Sequence, residues 1–261
     1  MRALIALALL VAACRDEPSA KASAQPAGAC TQHMFEQSQF TVCDAGEGRI
    51  ELLAAAPGEI PIRQFAQVEA KLGSRAARVA FAMNGGMYDE AGRPIGLAIV
   101  EGRQVHAINR RKDGGNFHLM PNGVFQVQAG GRAEVLTSAS WKPEPSIRVA
   151  TQSGPMLVID GKLHPQFEPD GTSRHIRNGV GIGAEGTPLF VISEEPVSLG
   201  KFARFFRDRL RCRNALFLDG AVSALWDPPA YRRDVTVPLG PIIVAFKPAA
   251  SKPGREGRAT P

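Results

Sequence analysis

Turns come so often along this chain that its apolar runs stay short, and that spacing limits the fold more than any other feature. The 27 glycines and 20 prolines, helped by asparagines, break the sequence into strand-length pieces. The clearest are residues 49–53, 79–83, 97–100, 123–127, 156–159, 180–182, 189–193, 215–218 and 242–246. Two pairs read as hairpins, one turning at Glu101-Gly102 and one at Asp160-Gly161. Helical spacing is found in only two places. Residues 62–72 put Ile62, Phe65, Val68 and Leu72 on one face. Residues 199–211 do the same with Leu199, Phe202, Phe206 and Leu210, behind Ser198 as N-cap. The basic residues of the second helix, Lys201, Arg204, Arg207, Arg209 and Arg211, predict a solvated outer face. The expectation is a single mixed α+β domain, mainly antiparallel sheet with few helices.

The first thirteen residues predict a secretory signal. Arg2 is followed by an apolar run from Ala3 to Leu10 and by small residues up to Cys14. The run is far shorter than the ~20 residues of a spanning helix. Val11-Ala12-Ala13-Cys14 has the form of a lipobox, so Cys14 is expected to carry lipid and to anchor the chain in a membrane. Arg15 after the lipid-bearing cysteine points to the outer membrane, facing the periplasm, if the organism is Gram-negative. Residues 14–29 and 248–261 have the composition of a tether and a tail, which leaves 30–247 as the folded domain. The net charge is +6 and the pI about 9.4, but the basic residues are scattered and no nucleic-acid-binding motif is present, so nucleic acid is not the expected partner. Of the remaining cysteines, Cys43 ends an apolar run and Cys212 follows the second helix. A Cys43–Cys212 bridge is therefore the first choice, with Cys30–Cys43 its rival. No cysteine pair has zinc-ligand spacing, and neither a metal nor a cofactor is expected.

Polar groups able to touch a ligand gather at the turns. Asn84 ends an apolar run and is followed by Gly85-Gly86, then Tyr88 and Asp89. His118 and Asn122 flank the start of another run, and Gln152 and Ser153 precede a Gly-Pro break. Ser153 lacks the G-x-S-x-G setting of a serine hydrolase. Arg177 and Asn178 stand before Gly179, where a tight turn would expose backbone N–H groups beside a guanidinium suited to phosphate. Asp219 ends an apolar run before Gly220, with Ser223 just beyond, a placement suited to a catalytic carboxylate.

Taken in order, AMNGGMY, GNFHLMPNGVF, ATQSGPMLVIDG, SRHIRNGVG and NALFLDGAVSALW resemble the motifs of the phosphodiester glycosidase family, over roughly residues 40–246. The resemblance implies hydrolysis of a sugar-1-phosphodiester at the anomeric carbon, with a glycan or sugar phosphate of the cell envelope as substrate. Asp219, His118 and Asn84 are then the expected catalytic group. Arg177, Asn178, Gly179, Tyr88, Asn122, Gln152, Ser153 and Ser223 would contact substrate. Most glycosidases pair two carboxylates, and Asp89 and Glu194 are both available as partner to Asp219. The alternative is an envelope lipoprotein that binds glycans without catalysis.

Overall fold

The computed structural model describes residues 28–219, 222–234 and 237–248. The signal, Cys14, most of the tether, all but the first residue of the tail, and Gly220 lie outside the described residues. Three sheets make up the fold, and every strand pairing is antiparallel. The first has seven strands in the order Cys30–Phe35, Ser38–Asp44, Pro188–Ser193, Asn178–Ile182, Ala215–Asp219, Met156–Ile159, Lys162–Leu163. The second runs Arg232–Arg233, Leu225–Asp227, Val79–Asn84, Ile242–Phe246, Ile50–Leu53. The third runs Arg103–His106, Ala98–Val100, Ile147–Ser153, Gly123–Gln128, Ala133–Thr137. The sheets share one core because alternate residues of each strand face the same interior. Phe190 of the first sheet meets Phe81 of the second and Phe125 of the third, with ring centroids 5.4 Å apart in both cases.

Helices cover the outer faces. Phe65–Leu72 buries Phe65, Val68 and Leu72 against the second sheet, beside Trp226 and Val244. Ser198 caps the second helix as expected, its Oγ accepting from Lys201 N at 3.1 Å. The long regular helix expected over residues 199–211 is not what forms. After Leu199–Arg204 the chain widens into a π turn, Phe205–Arg209, closed by Leu210 N donating to Phe205 O at 3.1 Å. The wider turn lets the consecutive Phe205 and Phe206 both enter the cluster under the first sheet, where Phe40 stacks on Phe205 at 4.1 Å. The basic face is also less solvated than expected. Arg204 grips Glu36 with two donors, at 2.8 and 2.6 Å, and so holds the turn of the N-terminal hairpin.

The disulfide joins Cys30 to Cys43, which corrects the expected Cys43–Cys212 bridge. Cys30 and Cys43 are register partners across the hairpin. Cys43 belongs to the core between the sheets, whereas Cys212 packs with the helix on the opposite face of the first sheet. The sheet itself separates them. Cys212 is a buried free thiol, pushed up to about 12 by its burial.

Candidate active site

Four strand ends converge where the first and second sheets meet, one of them contributed by the third sheet. Asn84 and Asp219 are the last residues of their strands, Ser153 is the last of its own, and Asn178 is the first of an antiparallel one. Burying so many polar side chains is tolerable only if they satisfy one another, and they do. Asn178 Nδ2 donates to both Asn84 O, at 2.9 Å, and Asn84 Oδ1, at 3.0 Å, bridging the two sheets. Asn84 Oδ1 also accepts from Ala224 N at 2.9 Å, and its Nδ2 donates to Val222 O at 2.6 Å. Asn178 Oδ1 accepts from Asp219 N at 3.0 Å. Ser153 Oγ donates to Leu218 O at 2.6 Å, one residue before the carboxylate.

Asp219 is thus carried on a backbone fixed from two sides. Its residue exposure is only 5 %, and its Oδ1 accepts from Val222 N at 3.3 Å. Ser223 Oγ lies 3.2 Å from Asp219 O and donates to Ile176 O at 3.1 Å, tying the following turn to the loop before Arg177. Tyr88 approaches from the other side. Its phenol is pushed up to about 12, first by burial and then by the negative charge of Asp219, with Arg63 opposing. The hydroxyl donates to Pro238 O at 2.9 Å, and the Arg63 guanidinium sits 5.5 Å from the ring centroid. Gly86 makes this approach possible. A Cβ there would lie 2.2 Å from Gln152 O, so the loop carrying Tyr88 can rest on the Ile147–Ser153 strand only with glycine at that position.

The structure therefore brings together Asn84, Tyr88, Asn178, Asp219 and Ser223, with Ser153 directly behind. The other expected site residues have different duties. Gln152 Oε1 accepts from Leu97 N and Asn109 N, and its Nε2 donates to Asn109 O, so the side chain is consumed in fixing a loop. Asn122 is likewise spent on Phe117 O and the Ser138 hydroxyl. His118 is held by Arg111 O, 3.0 Å from Nδ1, and by the Phe117 ring, contacts that tie it to its own segment and not to Asp219. Asp89 caps its turn through Arg93 N, and Glu194 pairs with Arg232 at 2.6 Å. Neither is seen to face Asp219 as a second carboxylate.

Two expectations require correction. Gly179 is not in a tight exposed turn. It lies within a strand, opposite Val191 and Phe217, and a Cβ there would meet Leu216 O at 2.8 Å and the Phe202 ring at 3.1 Å. Its smallness serves helix-on-sheet packing. Arg177 is not an open fork for phosphate, being 1 % exposed. Its Nε donates to Val197 O at 2.8 Å and its Nη2 to Ser173 O at 2.9 Å, while the guanidinium lies 5.3 Å from the Phe217 ring centroid. Alternation along the strand aims Arg177 to the opposite face from Asn178. Sequence reasoning missed Arg63, which braces Tyr88. Nothing in its local setting, a proline-flanked loop before a helix, signals that contact.

A profile of the family described as phosphodiester glycosidase matches residues 77–228, more than half of the chain and the span that contains this cluster. The uncharacterized protein YigE of Escherichia coli strain K12 is 39% identical over 149 residues, 57% of this chain and 58% of that protein, so the chain spans little more than half the length of this relative. Among solved structures, the zebrafish N-acetylglucosamine-1-phosphodiester alpha-N-acetylglucosaminidase catalytic domain, auto-inhibited by its pro-peptide, superposes with a TM-score of 0.58 at 16% identity, covering 84% of this chain and 82% of that one. A hypothetical protein from Synechocystis superposes with a TM-score of 0.51 at 14% identity, over 82% of this chain and 61% of the other. At these identities the two superpositions establish a shared fold.

Proposed function

The chain belongs to the phosphodiester glycosidase family, and from that membership we propose that it hydrolyses a sugar-1-phosphodiester at the anomeric carbon. Water's oxygen bonds to that carbon as its bond to the phosphate oxygen breaks. The phosphate keeps the bridging oxygen and leaves as a phosphomonoester. The sugar is freed with the water's hydroxyl on its anomeric carbon, the water's other proton passing to the departing phosphate or to solvent. Phosphate is a good leaving group, so the reaction asks less of a general acid than hydrolysis of an ordinary glycoside does. What it needs is a negative charge near the sugar, to orient the water or to stabilise the positive charge that develops at the anomeric carbon.

The observation that carries this reading is Asp219, a carboxylate at a strand end whose backbone is held by the buried Asn84–Asn178 pair and, one residue earlier, by Ser153. Such bracing suits a catalytic group, because electrostatic stabilisation works best when the charge does not have to reorganise. Asn84 and Asn178 act by positioning it, and Tyr88 borders the sugar side. His118 is assigned no step. The envelope setting belongs to the same proposal: lipid on Cys14 would hold the enzyme at the membrane, within reach of glycans and sugar phosphates.

A screen of the full chain against sugar-1-phosphodiesters, read as free reducing sugar, tests the reaction. Asp219→Asn keeps the side chain's size and most of its hydrogen bonding, so the fold should survive. Turnover should fall by about a hundredfold or more with little change in substrate affinity. Turnover that persists in Asp219→Asn would remove this carboxylate from the mechanism. No turnover on any substrate, with glycan binding intact, would favour a binding protein.

A further inference from the structure

Arg177 is a buried cation for which no carboxylate stands within ion-pair distance among the described residues, and its Nη1 has no hydrogen-bond partner there. Burial lowers the guanidinium to about 10, so it remains charged at neutral pH. A buried, uncompensated charge is costly, and this one lies one residue from the Asn178–Asp219 register pair. Its two committed donors tie two segments together. Nη2 fixes Ser173 O, and Nε fixes Val197 O, whose own residue bridges His175 through both backbone groups. The far end of the segment that contains Ser173 is held by Ser223 Oγ on Ile176 O. The loop 172–176 is thus pinned at both ends, beside Ser223 and so close beyond Asp219 in the chain, and Arg174 and His175 are exposed on it. Arg174 makes no ion pair among the described residues.

We propose that loop 172–176 is the anion-binding rim of the site, with Arg174 contacting the phosphate of the substrate and Arg177 serving as the buried strut that holds the loop in place. The inference rests on the phosphodiester reading of the same site. A phosphodiester approaching Asp219 meets a like charge, so the site needs positive charge close by that is not already neutralised. Arg174 supplies a guanidinium able to donate two parallel hydrogen bonds to phosphate oxygens. Arg177 adds the field of a cation in a low-dielectric setting, where charge acts more strongly than in water. The grip on phosphate that sequence assigns to Arg177 therefore passes to its neighbour three residues earlier.

Inorganic phosphate is the probe, titrated calorimetrically into the full chain. The wild type should bind it. Arg174→Ala should weaken binding about tenfold or more, the loss of a charge-assisted pair, and Arg174→Glu should abolish it, both with an unchanged melting temperature. Asp219→Asn, which removes a like charge, should bind phosphate at least as well as the wild type. Arg177→Lys cannot donate to Val197 O and Ser173 O together. It should weaken binding in the wild-type background and add nothing in Arg174→Ala. If Arg177→Lys does not fold, Ser223→Ala, which releases Ile176 O at the other end, reads the same coupling. Absence of phosphate binding by the wild type, or wild-type affinity in both Arg174 variants, would overturn the proposal. Strictly additive effects would overturn the strut. Phosphate binding through Arg174 without hydrolysis of any sugar-1-phosphodiester would end the hydrolytic reading and leave this one standing.

Discussion

Asn84 shows how much of this site is support. Its side chain accepts from Ala224 N and Asn178 Nδ2 and donates to Val222 O, so one amide holds the turn beyond Asp219 and the neighbouring strand at once. Asn84→Ala would leave Ala224 N buried without an acceptor and deprive Asn178 of one. An unsatisfied buried polar group costs about 1–3 kcal/mol. The variant should therefore lose about 2 kcal/mol or more in urea denaturation while keeping the m-value, and its turnover should fall with it. An unchanged denaturation midpoint would show that the amide network is dispensable. Gln152 and Asn122 carry the same lesson from the other direction. Both looked like ligand contacts because they are polar residues at turns, yet each is used up in joining loops.

At the scale of the element, the N-terminal hairpin matters most. Cys30–Phe35 lies at the edge of the first sheet and is held by its partner strand, by the disulfide and by Arg204 on Glu36. The cysteines are 13 residues apart, so in the chain-entropy model the bridge contributes about 3 kcal/mol, less than a Cys43–Cys212 loop would have given. The double variant Cys30→Ser, Cys43→Ser should be destabilised by about that amount, measured against the wild type under non-reducing conditions. Cys212→Ser should not reproduce the effect through loss of a cross-link, because Cys212 has none. Mixed disulfides containing Cys212 in a non-reducing peptide map of the folded chain would contradict the assignment.

At the scale of the whole molecule, the candidate site lies where strand ends from all three sheets meet, so its geometry depends on the complete fold. The proposed membrane anchor is a separate matter, since Cys14 lies outside the described residues. Cys14→Ser should abolish incorporation of a clickable fatty acid and release the chain from membranes, with hydrolysis unchanged. Fatty-acid label that persists in this variant would exclude Cys14 as the lipid carrier. Separable loss of anchoring and activity would show that the proposed anchor acts on location alone and does not shape the candidate site.

Local sequence determined a good deal of this protein. Short apolar runs and glycine turns determined an antiparallel fold, Ser198 determined a helix start, and five ordered motifs determined the family. Asp219 and Asn84 were legible because each ends an apolar run before glycine. What local pattern cannot carry is which face of a sheet a residue occupies, or what lies across it. Tertiary structure alone decided that Cys43 and Cys212 lie on opposite faces of one sheet, that Gly179 makes room for Phe202, and that Arg177 points away from its neighbour Asn178 into the packing around Phe217. The reason is physical. Strand formation is dictated by neighbours in sequence, whereas sheet order and the satisfaction of buried polar groups depend on residues brought together from far along the chain.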